Sequence, residues 1–346
     1  MGDRVRRTGS PILALLVAAL LACCGGEASP PAARPLASPI ATLGPVQGAS
    51  LTPKVAPSLS SEELTRYQAN ELGQVLILEY HAIDDSGGEF ARSPEQFRAD
   101  LAWLYEHDFY VIPIRDYLTN DIKAPAGKRP AVLTFDDGVV SQFRYVLDAS
   151  GEKTIDPESA VGILEGFFSE HPDFGRGGLF SILPLAPFAW PDAPDQLEYA
   201  QEKLQWLLDH GYEIGNHTLG HANLGELSAE EVMKELAEAV EKIYEYVPKA
   251  PVEVIAVPFG VYPAEEALLH GFDYHGKHYH FYGALMVGAS PAPSPAEANF
   301  EPFRTPRIQA NDEELGRWFS YVEDNPGLIY VSDGNPDTVT IPEELR

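Results

Sequence analysis

Cysteine is almost missing from this chain: Cys23 and Cys24, side by side, are the two it has. Everything after them lacks a disulfide and a thiol nucleophile, which removes cysteine-hydrolase and thiol-redox chemistry from consideration. A chain without cross-links is held by its core alone, and a hydrophobic content of 45% over 346 residues is enough to build one. Basic residues are scarce as well: 24 against 52 acidic ones, for a net charge of −28. Such a surface repels nucleic-acid backbones, whose capture depends on Lys and Arg, and it repels anionic lipid. Neutral or cationic substrates remain open, although acidity also serves simply to keep a protein soluble. Long apolar runs are missing too. The run from Pro11 to Ala22 is too short to span a bilayer comfortably, which takes about 20 residues.

That short run follows a basic stretch, Arg4, Arg6 and Arg7, and ends in Leu20-Leu21-Ala22-Cys23. It reads as an export signal. The ending resembles the bacterial lipoprotein signal, which implies that Cys23 becomes the lipidated first residue. Several acyl chains on one Cys hold firmly, at about 0.8 kcal/mol per buried methylene. Residues 28 to 60 are rich in Pro, Ala and Ser and lack apolar periodicity, as an extended tether would. The expected organisation is therefore a signal peptide over 1–22, a lipidated Cys and tether over 23–70, and one folded domain over 71–346.

Within that domain, strand and helix patterns alternate. Gln74 to Glu79 is a near-continuous apolar run, as in a strand buried on both faces, and so is Ala131 to Phe135. Ser93-Pro94 starts a helix, Ser as N-cap and Pro at its first position, with a stripe of Phe97, Leu101 and Leu104. Further strands are expected at Phe109–Ile112, Leu179–Leu183, from Glu213, at Val252–Val257, Tyr282–Val287 and Leu328–Val331. Helices are expected at Pro157–His171, at Pro194–His210 closed by Gly211, from Ser228 to Tyr246, and at Asp312–Val322. Alternation of this kind predicts a parallel sheet wrapped by helices. About seven units suit a distorted barrel better than a three-layer open sheet.

Reactive groups in such folds collect where strands end. Asp136 and Asp137 directly follow the strand AVLTF, and Gly138 allows a sharp exit. Two adjacent carboxylates cannot both face a core without a large desolvation cost. One can bind a metal while the other stays free as a base; a plain Asp-Asp-Gly turn is the alternative. His217 and His221 follow the strand that begins at Glu213. Imidazoles four apart converge on one cation if the chain between them makes a helical turn. One Asp and two His would leave coordination positions open for water, as catalytic rather than structural sites do.

Thr134-Phe135-Asp136-Asp137-Gly138 followed by His217-Thr218-Leu219-Gly220-His221 resembles the first two motifs of the NodB-homology polysaccharide deacetylases, carbohydrate esterase family four. Tyr80-His81-Ala82-Ile83 is similar to a segment of the subgroup acting on exported amino-sugar polymers. The resemblance implies a distorted (β/α)7 TIM-like barrel and a divalent metal, usually zinc, with cobalt or nickel accepted by the same donors. It implies Asp136 as general base and Asp137, His217 and His221 as metal ligands. His81, Pro258, Phe259 and Arg307 are the further candidates to meet substrate.

Two family features are altered. The Arg that normally orients the base is replaced by Ala256, ahead of the retained Pro258-Phe259-Gly260 turn; Arg304 or Arg307 are candidates to supply a guanidinium instead. The His usually found near the last strand is replaced by Ser332, a poor acid. A cluster of His270, His275, His278 and His280 reads as a polar loop, and Phe188, Trp190 and Phe259 as packing residues, with stacking on sugars as the alternative. The expected activity is a metal-dependent hydrolase that removes acetyl groups from an extracellular N-acetylated polysaccharide, such as an N-acetylglucosamine polymer or peptidoglycan, anchored by lipid to a bacterial membrane. The alternatives are an O-acetyl esterase on a polysaccharide, or a degenerate glycan-binding surface lipoprotein. No nucleic-acid partner is expected.

Overall fold

A computed structural model describes residues 59 to 342; the signal segment, Cys23 and most of the tether lie outside the described residues. Its main sheet is built from β1 (Leu76–Tyr80), β2 (Phe109–Val111), β3 (Arg129–Phe135), β4 (Leu179–Ile182), β5 (Glu213–Asn216), β6 (Val254–Ala256), β7 (Gly283–Leu285) and β8 (Ile308–Gln309). Seven of these lie in the order β7-β6-β5-β4-β3-β1-β8, while β2 pairs with the start of β3. Every pairing is parallel. The sheet curls until its two edges approach: Leu285, at the end of β7, forms a parallel bridge to Thr305, just before β8. The distorted barrel expected from the sequence is thus the architecture found.

The helices follow from local signals. α1 (Pro94–Glu106) begins with a capping box in which Ser93 and Gln96 satisfy each other's backbone N–H groups. It buries Phe97, Leu101 and Leu104 against the sheet. Each fully buried side chain of this kind contributes about 1.5–3 kcal/mol. α2 (Ala160–Glu170) is capped by Ser159. α3 (Ala200–Asp209) is preceded by a 3-10 turn, Pro194–Tyr199, so the expected long helix is two pieces; Gly211 follows it at φ 81°, in the left-handed region glycine tolerates best. α4 (Ala229–Tyr246) opens with a second capping box, Ser228 with Glu231, and α5 (Asp312–Asp324) is capped by Asn311.

Four details depart from expectation. Ile329 to Val331 forms isolated bridges to Gln74 and Asn70 rather than a strand of the sheet. The closing strand is β8, two residues long and too short to leave a periodic signal. Residues 61 to 70, assigned to the end of the tether, hold a capped helix, Ser61–Tyr67, and Asn70, whose N–H donates to Val331 O at 2.9 Å. Two antiparallel hairpins also went unread, Tyr145–Leu147 with Lys153–Ile155 and Gly271–Tyr274 with Lys277–His280.

Because the strands are parallel, their carboxyl ends share one face. That face receives His81 after β1, Asp136 and Asp137 after β3, His217 after β5 and Pro258 shortly after β6.

Candidate active site

Asp136 extends β3 by one more bond, its N–H donating to Tyr80 O at 2.9 Å. The backbone then turns left-handed at Asp137 (φ 73°) and Gly138 (φ 66°). That turn sends the two neighbouring carboxylates apart: Asp136 is fully buried, whereas the Asp137 side chain is 17% exposed. On the second loop, Thr218 (φ 63°) and His221 (φ 56°) are left-handed as well. Each such non-glycine residue costs about 1–3 kcal/mol and persists only where its surroundings enforce it. Here they do. Asn216 Oδ1 accepts the Thr218 N–H at 2.8 Å, and Glu235 of α4 accepts the N–H groups of Leu219 and Gly220 at 3.1 and 2.9 Å. The histidines therefore converge through a pinned loop.

Asp137 Oδ1 lies 3.2 Å from His217 Nε2 and 3.5 Å from His221 Nε2. A tetrahedral ion with bonds of about 2.0–2.1 Å holds its ligand atoms about 3.3–3.4 Å apart, so the spacing fits. The tautomer fits too. His217 Nδ1 is 2.8 Å from Ala256 O, and a carbonyl only accepts, so Nδ1 carries a hydrogen and Nε2 is the nitrogen turned toward Asp137. That Nε2 is buried without a hydrogen-bond partner. A buried imidazole nitrogen 3.2 Å from a carboxylate oxygen is a pair of ligand atoms that a cation would bridge. Burial would push the Asp137 carboxyl up, but His217 outweighs it and the net shift is downward. Burial and the neighbouring His217 both hold His221 down, in the neutral form a metal requires.

Beneath this triad lies a second constellation. Arg307, fully buried just before β8, donates to both oxygens of Asp136 at 2.9 and 2.7 Å, to Glu79 Oε1 at 3.1 Å, to Thr134 Oγ1 at 3.0 Å and to Met286 O at 2.7 Å. A guanidinium has five N–H donors, and these five acceptors use them all. Burial would push Asp136 up; Arg307 and His217 overcome that and hold it well below the usual carboxylate range. Glu79 shares the same cation and takes a 2.9 Å bond from the Gly288 N–H, yet burial dominates there and its carboxyl is raised. Asp136 is thereby kept ionised in a dry setting, as a base must be.

The other sequence candidates fall as follows. Arg307 sits under the base and is fully occupied, so it orients Asp136 instead of meeting substrate. Arg304 is turned away, paired with Glu266. Ala256 lacks the side chain of the family Arg but lends its carbonyl to His217. The ring of His81 has 14% of its side chain exposed; its Nε2 is 4.0 Å from Glu79 Oε1, and its ring meets Phe90 edge-on. Pro258 is buried in the turn, while Phe259 (φ 58°) is 58% exposed with its ring 4.5 Å from His221. Ser332 is buried and donates to Ala124 O at 2.8 Å, so it offers no acid. Three of the four clustered histidines, His275, His278 and His280, lie on the second hairpin, and His270 stacks on Phe303; none joins the two groups of potential metal donors among the described residues. Those groups are Asp137-His217-His221 and Glu79-His81-Asp136, and in the second the cation is already the Arg307 guanidinium. Glu79 is the residue the sequence reading missed. Its signal was a single charge inside an otherwise apolar buried strand.

The fold has counterparts among known proteins. The family model described as polysaccharide deacetylase matches residues 123–274. YxkH of Bacillus subtilis (strain 168), provisionally named a polysaccharide deacetylase, is 24% identical over 193 residues, covering 55% of this chain and 58% of its own length. The chain thus spans little more than half of that curated relative. Among solved structures, a polysaccharide deacetylase from Bacillus cereus matches with TM-score 0.52 at 19% identity over 71% of this chain and 69% of the other. A Streptococcus pyogenes deacetylase in complex with acetate matches with TM-score 0.51 at 16% identity over 71% and 98%. At such identities the likeness is one of fold.

Proposed function

Because the chain carries a polysaccharide deacetylase domain of the NodB type, we propose that it hydrolyses acetyl groups from an N-acetylated polysaccharide outside the cytoplasm. The observation that carries this reading is Asp136: a buried carboxylate, held ionised by Arg307, directly beside the Asp137-His217-His221 donor set. A binding module has no use for a base maintained at that cost. Asp137, His217 and His221 would hold the divalent ion, which when bound supplies Lewis acidity toward the acyl carbonyl and an acidified water. Asp136 accepts the proton of the attacking water. Arg307 fixes the plane of that carboxylate and keeps its charge. The departing amine needs a proton, and His81 is the imidazole of this face outside the donor set, its ring nitrogen within 4.8 Å of Asp136 and Glu79 oxygens. We assign it that delivery. Phe259, exposed and edge-on to His221, stands beside the donor set.

The test is acetate release from N-acetylglucosamine oligomers, acetylated xylan fragments and an aryl acetate, with zinc or cobalt and after chelation. Release from the amino-sugar oligomers that chelation abolishes supports the reading. Release confined to the xylan fragments moves the assignment to an O-acetyl esterase. Metal uptake with no release from any substrate leaves a glycan-binding protein. The proposal also places the chain on a bacterial membrane through lipid on Cys23. A Cys23→Ser variant that stays in the membrane fraction would overturn that part.

A further inference from the structure

Three aromatic residues were candidates to stack on sugar rings, and the structure separates them. Phe188 is fully buried and packs. Phe259 belongs to the metal-proximal turn. Trp190 is 52% exposed and forms one wall of a cleft of about 370 Å³, with Pro191, Leu197 and Ala186 completing the apolar lining and Asp192 at hand. That volume lies toward the lower end for small-ligand clefts. Leu185 and Leu197 nearby are exposed as well. The lining is apolar apart from Asp192, which suits a ligand with one apolar face and a hydrogen-bonding edge.

The cleft is tied to the reaction site through the backbone. Leu183 N–H donates to Asp137 O at 3.3 Å, Phe188 N–H to Gly138 O at 2.7 Å, and Val140 N–H to Trp190 O at 2.8 Å. Val139 and Trp190 form a parallel bridge. Two Cα steps of about 3.8 Å and one bridge of about 5 Å place the Trp190 and Asp137 Cα atoms within about 13 Å. The platform is also braced from below. The Lys203 ammonium is buried and donates to Phe188 O at 3.2 Å and Gln196 Oε1 at 2.9 Å, and the Gln196 side chain bonds both the N–H and the carbonyl of Tyr145. A half-exposed Trp on a loop held this firmly gives up little conformational freedom when it binds.

We propose that the Trp190 cleft is a second sugar subsite, which holds a ring of the same polysaccharide chain at a distance from the residue being deacetylated. The apolar C–H face of a pyranose lies flat on an indole, and Asp192 accepts bonds from its hydroxyl or amide hydrogens or pairs with an ammonium left by an earlier deacetylation. The strongly acidic surface suits such a cationic product chain. The inference rests on the deacetylase reading for the identity of the ligand. It adds that the protein grips a polymer over several rings rather than a single sugar.

The experiment compares the full chain with Trp190→Ala and Trp190→Phe on three substrates: a dimer and a pentamer of β-1,4-linked N-acetylglucosamine, and 4-nitrophenyl acetate. In Trp190→Ala, the pentamer KM is expected to rise about tenfold, the loss typical of a truncated aromatic anchor. The advantage of pentamer over dimer should disappear, the aryl acetate rate should stay unchanged, and Trp190→Phe should restore most of the pentamer KM. A pentamer KM within twofold of the parent overturns the inference. A parallel fall on all three substrates also overturns it, since Trp190 would then merely support the Asp137 loop. If the parent releases no acetate, the deacetylase reading has failed. Calorimetric titration of the pentamer then decides the cleft by itself: weaker binding to Trp190→Ala than to the parent sustains it, and equal or absent binding removes it.

Discussion

Arg307 closes a two-pronged grip on Asp136, with both carboxylate oxygens within 2.9 Å of its guanidinium, although 171 residues separate the two in sequence. The base and the group that keeps it charged come from opposite ends of the domain. The same guanidinium also donates to Glu79, so one buried cation serves two buried carboxyl groups.

Replacing Arg307 by Met leaves both carboxylates buried without their counter-ion. Breaking a buried ion pair in this way costs about 3–5 kcal/mol, so thermal unfolding should show a large fall in Tm. Arg307→Lys retains a charge but loses the fork. Asp136 must be ionised to act, and activity disappears as pH falls through its depressed pKa. The acidic limb of kcat/KM should therefore move to higher pH in Arg307→Lys. A limb that stays in place would refute the assigned role of Arg307.

Asp136→Asn keeps the shape of the base and removes its proton affinity. Acetate release should fall by about 10²- to 10⁴-fold, the range for a general base. Zinc stoichiometry, measured on the same sample by plasma emission, should be unchanged. Loss of zinc in this variant would mean that Asp136, and not only Asp137, is a ligand.

Zinc should raise the Tm of the parent protein, by an amount equivalent to about 2.7 kcal/mol at a hundredfold excess over Kd. Asp137→Ala and His217→Ala should abolish that gain. His217→Ala also frees the Ala256 carbonyl, so its metal-free Tm should already be lower. A zinc-induced gain that persists in Asp137→Ala would rule out the proposed donor set.

Stability should decline from mildly acidic to neutral pH. Burial pushes the carboxyls of Glu71 and Glu213 up to about 7 against backbone N–H bonds that favour the charge. Both ionise near 4.5 when exposed. Their contribution is then fully present below about 4.5 and is lost as pH rises through about 7. Tm by scanning calorimetry should be higher at about pH 5 than at about pH 7; the opposite trend would show that these glutamates are solvated.

Much of this was legible in the sequence because it is local. Ser93 and Ser228 announce helices by chemistry that spans three residues, and AVLTF announces a buried strand by composition. The Asp137, His217 and His221 donors were readable because motif spacing preserves them. Arg307 was visible only as one of two options, since its choice depends on β8, a two-residue strand with no pattern of its own. Glu79 was passed over because a strand reading looks for apolar residues and discounts the exception. What pins the loop from His217 to His221 was not readable, because Glu235, which holds it, comes from a helix later in the chain. The residues that escaped are those whose role depends on a partner distant in sequence.

The late position of Arg307 has a consequence for timing. A chain made, and on the present reading exported, from its N-terminus first presents Asp136, then the His217 loop, and only near the end the guanidinium that charges the base. Until β8 docks beside β1, burial favours the protonated carboxyl. Hydrolytic competence therefore arrives with the closing of the sheet, and a truncated or stalled chain would hold its donor set without a working base.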